Sequence, residues 1–126
     1  MTDERPRILV VDDESDTLLF LFDLLSNEGY FVEGSSSALN ALGDIQRRPP
    51  AVVLTDVRMP EMDGLELLER IKTISPRTRV ILLSAFGAEG MKNEALRRGG
   101  EAFLQKPILG HDLLRVLGRV MQGSEH

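Results

Sequence analysis

Leu54-Thr55-Asp56-Val57-Arg58-Met59-Pro60-Glu61-Met62-Asp63-Gly64 is the stretch on which the reading of this chain turns. The apolar run that leads into it, residues 51–54, reads as a buried strand that ends at Thr55-Asp56. A carboxylate there stands at the C-terminal edge of a strand, where open α/β sheets carry ligands and chemistry. Pro60 blocks a helix and Asp63-Gly64 is turn chemistry, so Asp56 is held on a rigid strand end beneath a defined loop. That is a setting for a nucleophile or a metal ligand. The plainer reading, a carboxylate that only caps a turn, has to be weighed against the rest of the chain.

Outward from this stretch the pattern repeats. Residues 8–11 are apolar throughout, as a strand covered on both faces is, residues 80–83 read as another buried strand, and residues 30–34 and 102–105 as two more short strands. Between them the spacing predicts helices over 14–28, 38–47, 65–74, 91–98 and 109–122. Gly29, Pro49-Pro50, Ser75-Pro76 and Gly99-Gly100 act as stops, and Ser35-Ser36-Ser37 as a helix start. Alternating strands and helices predict an α/β fold with a doubly wound parallel sheet and right-handed crossovers. For five (βα) units the flavodoxin-like strand order 2-1-3-4-5 is expected. One domain over residues 6–122 is expected, with flexible termini at 1–5 and 123–126.

The bulk numbers agree. The 126 residues suffice for one core, and 42% hydrophobic with 28% charged residues is a globular composition. A net charge of −5 argues against direct nucleic-acid binding. The absence of cysteine excludes disulfide and thiolate chemistry. No run approaches a bilayer-spanning length, and the N-terminus is too acidic for a signal peptide. A cytoplasmic domain without membrane attachment is expected.

Four of the five strands end in a reactive polar residue: Asp12-Asp13, Asp56, Ser84 and Lys106. Alone, each has a bland reading, as a helix cap, a turn or a surface lysine. In the expected strand order they converge on one edge. Three carboxylates held together repel one another, and a hard divalent cation such as Mg²⁺ relieves that repulsion with few protein ligands. Mg²⁺ and Lys106 beside a carboxylate form a receptor for a phosphoryl group, with Asp56 attacking in line and the Ser84 hydroxyl donating to a phosphoryl oxygen.

The motifs Val10-Val11-Asp12-Asp13-Glu14, Asp56-Val57-Arg58-Met59-Pro60-Glu61-Met62-Asp63-Gly64, Leu83-Ser84-Ala85 and Phe103-Leu104-Gln105-Lys106-Pro107 resemble those of the receiver domain of bacterial two-component response regulators. The resemblance implies that Asp56 is the phospho-acceptor and that Asp12, Asp13, Asp56 and the backbone carbonyl of Arg58 hold Mg²⁺. It implies that Ser84 and Phe103 are the switch pair, that Lys106 pairs with the phosphate, and that Lys106-Pro107 is a cis peptide. It implies a signalling switch rather than an enzyme acting on other substrates, one that catalyses its own phosphorylation and dephosphorylation. The implied partners are a sensor histidine kinase or phosphotransfer protein, and an output protein or domain on the helix 4–strand 5–helix 5 face. A homodimer on phosphorylation is a further implication.

Rival readings are weaker. An aspartyl-phosphate hydrolase of the haloacid dehalogenase type needs Asp-x-Asp after the first strand, where this chain has Asp12-Asp13-Glu14. A dinucleotide module needs a Gly-rich turn there. A receiver-like scaffold without phosphate turnover would not need the intact acid cluster. His111 and His126 are poor internal phosphodonors. Phe86 is expected at the site mouth, where it would hinder an attacking water. On helix 1, with Leu21 facing the core, Leu19 falls nearly opposite and Phe22 at the margin. Leu18, Leu19 and Phe22 are expected to form a docking patch for the phosphodonor partner.

Overall fold

The computed structural model describes residues 4–85 and 89–123. In chain order the elements are β1 (Arg7–Val11), α1 (Ser15–Asn27), β2 (Phe31–Ser35), α2 (Ala38–Arg47), β3 (Val52–Asp56), α3 (Gly64–Ile74), β4 (Arg79–Ser84), α4 (Lys92–Arg97), β5 (Ala102–Gln105) and α5 (Gly110–Gly123). The strands form one parallel sheet in the order β2-β1-β3-β4-β5, as expected.

The apolar runs are explained by two cores, one on each face of the sheet. Leu9, Val11, Val53, Val80 and Leu82 point to the side covered by α2, α3 and α4. Ile8, Val10, Val52, Leu54, Ile81 and Leu83 point to the side covered by α1 and α5. Successive strand residues alternate between faces, so both sets must be apolar. Each fully buried Leu or Ile contributes about 1.5–3 kcal/mol relative to an exposed one.

Boundaries shift by a residue or so. The largest difference is at α4, where the expected 91–98 helix begins as a 3₁₀ turn over Glu89–Met91 before the α-helical Lys92–Arg97. Gly29 and Gly99 close α1 and α4 with φ of +93° and +102°, a conformation that glycine adopts without steric cost. The Lys106–Pro107 peptide is cis. Of the termini expected to be flexible, residues 1–3 and 124–126 lie outside the described residues. Arg5 holds its guanidinium 5.4 Å from the centre of the Phe31 ring.

Candidate functional site

The parallel register brings the strand ends level. Val11 pairs with Thr55, Asp56 with Leu83, and Ser84 with Gln105. Asp12, Asp56, Ser84 and Lys106 therefore emerge along the C-terminal edge in that order, with Ser84 between Asp56 and Lys106.

The loop after β3 is fixed at several points. Gly64 N–H donates to the Val57 carbonyl at 2.6 Å, Met59 and Met62 are buried in the core, and Asp63 caps α3 by accepting from Glu66 N–H at 2.8 Å. Glu61 accepts from the backbone N–H of Ala38 at 3.1 Å and so ties the loop to the start of α2. Arg58 N–H donates to Asp56 Oδ1 at 3.3 Å, which sets the carboxylate's orientation.

Asp12 is fully buried and Asp56 nearly so, while Asp13 is exposed. One carboxylate oxygen from each of the three lies within 4.8 Å of the others. Oxygens sharing one Mg²⁺ would lie up to about 4.2 Å apart, a spacing comparable to that of the trio. The donor set is all oxygen, which suits a hard cation.

Lys106 is the positive charge of the site. Its Nζ donates to Glu14 Oε1 at 2.8 Å, to Asp12 Oδ2 at 2.9 Å and to Asp56 Oδ2 at 3.3 Å. Its own backbone N–H is held by the Ser84 carbonyl at 2.6 Å. Burial pushes the Asp12 carboxyl above its usual range, against the lowering pull of Lys106 and of the Glu14 N–H. Burial alone would lower Lys106, but its hydrogen bonds to Glu14 and Asp12 raise it above its ordinary value. The site thus holds a permanently charged ammonium beside carboxylates that repel each other.

Ser84 is buried at the end of β4, and its hydroxyl donates to the Ala85 carbonyl at 3.0 Å. With Ala85, Lys92, Gln105 and the half-buried Phe103 it lines a cavity of about 170 Å³. Phe86 lies outside the described residues.

The profile of the response regulator receiver domain matches residues 8–117. The chain belongs to the receiver domain family. It is 31% identical to the chemotaxis protein CheY of Thermotoga maritima, over 90% of this chain and 96% of that protein. It is 38% identical to the transcriptional regulatory protein ZraR of Klebsiella oxytoca, over 86% of this chain but only 24% of that longer regulator. The crystal structure of a CheY-like receiver domain protein from Methanospirillum hungatei superposes with a TM-score of 0.92 at 30% identity, over 97% of this chain and 98% of that one. Receiver domains are the signalling switches of two-component systems, and this receiver carries a cluster of Asp residues able to bind a metal. Among its described residues no helix is long and apolar enough to cross a membrane.

On α1 the receiver divides the expected docking patch. Leu19 is 65% exposed and Phe22 48%. Leu18 is only half-buried and packs against the α1–α5 core, over Gly34 of β2. Phe22 turns toward the β2 edge, where it lines a shallow cavity with Tyr30 and Phe31. Phe20, which the helical pattern did not single out, is 45% exposed on the opposite flank. That flank also carries Leu24, which contacts the start of α5 at Gly110, and the neighbouring Leu109 is exposed as well.

Glu14 was also missed. From sequence it reads as the first residue of a helix, and only its place directly after Asp12-Asp13 hinted at a role.

Proposed function

We propose that this receiver, as a single unit over residues 6–122, accepts a phosphoryl group on Asp56 from the phosphohistidine of a sensor kinase or phosphotransfer protein. The observation that carries the reading is the Asp56 carboxylate held 3.3 Å from Lys106 Nζ within the carboxylate trio of Asp12, Asp13 and Asp56. An Asp56 oxygen forms the new bond to phosphorus while the P–N bond breaks, and the leaving imidazole keeps the electron pair and takes up a proton. Lys106 offsets charge on the phosphoryl oxygens. Asp12, Asp13, Asp56 and the Arg58 carbonyl would hold Mg²⁺, whose charge neutralises the transferring group. Water attack on the acyl phosphate in the same site resets the switch.

Ser84 exchanges the Ala85 carbonyl for a phosphoryl oxygen, and Phe103 turns into the adjoining cavity. Both changes alter the α4–β5–α5 surface, which meets an output protein or domain, or a second copy of the chain. The partner kinase docks on α1 through Leu19 and Phe22, with Leu18 beneath them, in the cytoplasm. No role in binding nucleic acid directly is assigned.

The test is intact mass after incubation with Mg²⁺ and acetyl phosphate. The parent is expected to gain one phosphoryl group, and Asp56→Asn none. Equal labelling of both would refute Asp56 as acceptor.

A further inference from the structure

Glu14 occupies the N-cap position of α1 with φ −95° and ψ 114°. Its backbone is pinned on both sides. The N–H donates to Asp12 Oδ1 at 2.9 Å, and the carbonyl accepts from Leu18 N–H at 3.1 Å. An N-cap side chain ordinarily accepts from a first-turn N–H, a bond that stabilises the helix start. Glu14 makes no such bond. Its carboxylate reaches instead to Lys106, 92 positions along the chain.

An ammonium has three N–H donors. Those of Lys106 go to Glu14 at 2.8 Å, Asp12 at 2.9 Å and Asp56 at 3.3 Å. Two bonds are short, and the loosest points at the proposed acceptor. Asp12 and Asp56 belong to the trio able to hold a metal, and Glu14 does not. When those two carboxylates are engaged by a cation, and Asp56 is phosphorylated, Glu14 is the acceptor with no competing duty. The Glu14 backbone carbonyl, bonded to Leu18 N–H, is independent of those carboxylates.

We propose that Glu14 is the positioning residue for Lys106, anchoring the ammonium so that its remaining donor stays aimed at the phosphoryl group on Asp56. The proposal rests on the phospho-acceptor reading of Asp56. It explains why the α1 cap position carries a side chain long enough to span the site, at the expense of the local cap.

Glu14→Gln and Glu14→Ala separate the hydrogen bond from the charge. Both remove the same charge, but the glutamine amide oxygen still accepts from an ammonium, whereas alanine offers nothing. The Glu14 side chain is 62% exposed, so both variants are expected to fold, which unfolding midpoints check. At saturating Mg²⁺ the acetyl phosphate labelling of Glu14→Ala is expected to be about fivefold slower than that of Glu14→Gln, with their Mg²⁺ affinities equal within about twofold. In ¹⁵N spectra, a protected Lys106 ammonium signal is expected in the parent and in Glu14→Gln, with and without Mg²⁺, and is expected to vanish by fast exchange in Glu14→Ala. Equal labelling rates in the two variants would overturn the proposal, because the charge, or nothing at Glu14, rather than the hydrogen bond would then set the rate. If the parent takes up no phosphoryl group, the acceptor reading fails, and the ammonium signal in Mg²⁺ alone still decides whether Glu14 holds Lys106.

Discussion

Gly64 packs directly on the backbone of Asp56: a Cβ at Gly64 would lie 2.7 Å from the Asp56 carbonyl oxygen and 2.7 Å from Val57 Cα. Both are main-chain atoms of the strand end that carries the proposed acceptor, so neither yields as a flexible side chain does. Gly64→Ala is expected to destabilise the fold by about 3 kcal/mol, read as a lower urea midpoint. It should also weaken Mg²⁺ binding, because the clash displaces Asp56. A variant with parental stability and parental affinity would show that the loop relaxes freely.

Asp12 carries the cost of the site. Burial raises its pKa above the unfolded value, so the folded chain binds this proton more tightly than the unfolded chain. The stabilisation from that proton is fully present below the unfolded pKa and is lost as pH rises through the raised folded value. At neutral pH without metal the ionised Asp12 is therefore a net burden. Asp12→Asn is expected to stabilise the metal-free protein by about 1 kcal/mol at pH 7. Millimolar Mg²⁺ is expected to stabilise the parent and not the variant. Urea titrations with and without Mg²⁺ measure both differences.

Asp13 is exposed and carries none of that burial cost. Asp13→Ala should leave the metal-free midpoint within about 0.5 kcal/mol of the parent while reducing Mg²⁺ affinity more than about tenfold. Unchanged affinity in a calorimetric titration would remove Asp13 from the ligand set.

Ser84 now donates to its neighbour's carbonyl, and the cavity it shares with Phe103 is adjacent. Beryllofluoride with Mg²⁺ is expected to change amide exchange at Ser84, Ala85 and Phe103 in the parent, and to leave Phe103 unchanged in Ser84→Ala. The same response at Phe103 in both proteins would show that the aromatic moves without the hydroxyl.

Leu19→Glu and Phe22→Glu are expected to slow phosphotransfer from the partner kinase by about tenfold and to leave acetyl phosphate labelling intact. Phe20→Glu tests the other flank, the one that carries Leu24 near the start of α5. If it slows transfer more than Phe22→Glu does, the kinase sits over the α1–α5 side and not the β2 edge. Loss of small-molecule labelling in these variants would assign the residues to folding instead.

Much of this was legible in the residues alone. Val10, Leu54, Leu83 and their neighbours read as strands because a parallel sheet covered on both faces leaves no place for polar alternation. Asp12, Asp56, Ser84 and Lys106 could be gathered onto one edge because each follows such a run, and connectivity then dictates strand order. Local spacing carries that information, since a strand end is defined by the few residues around it. It carries nothing about which side chain across the sheet an atom will meet. Glu14 meets Lys106, and Glu61 meets Ala38, only because the sheet register and the helix starts place them together. Stepping 100° per residue from Leu21 as the core direction placed Leu19 on the exposed side, but helical phase does not say which flank a neighbour covers. Leu18 packs inward over Gly34 of β2, while Phe20 stays exposed. That outcome belongs to the packing of α1 against elements distant in the chain.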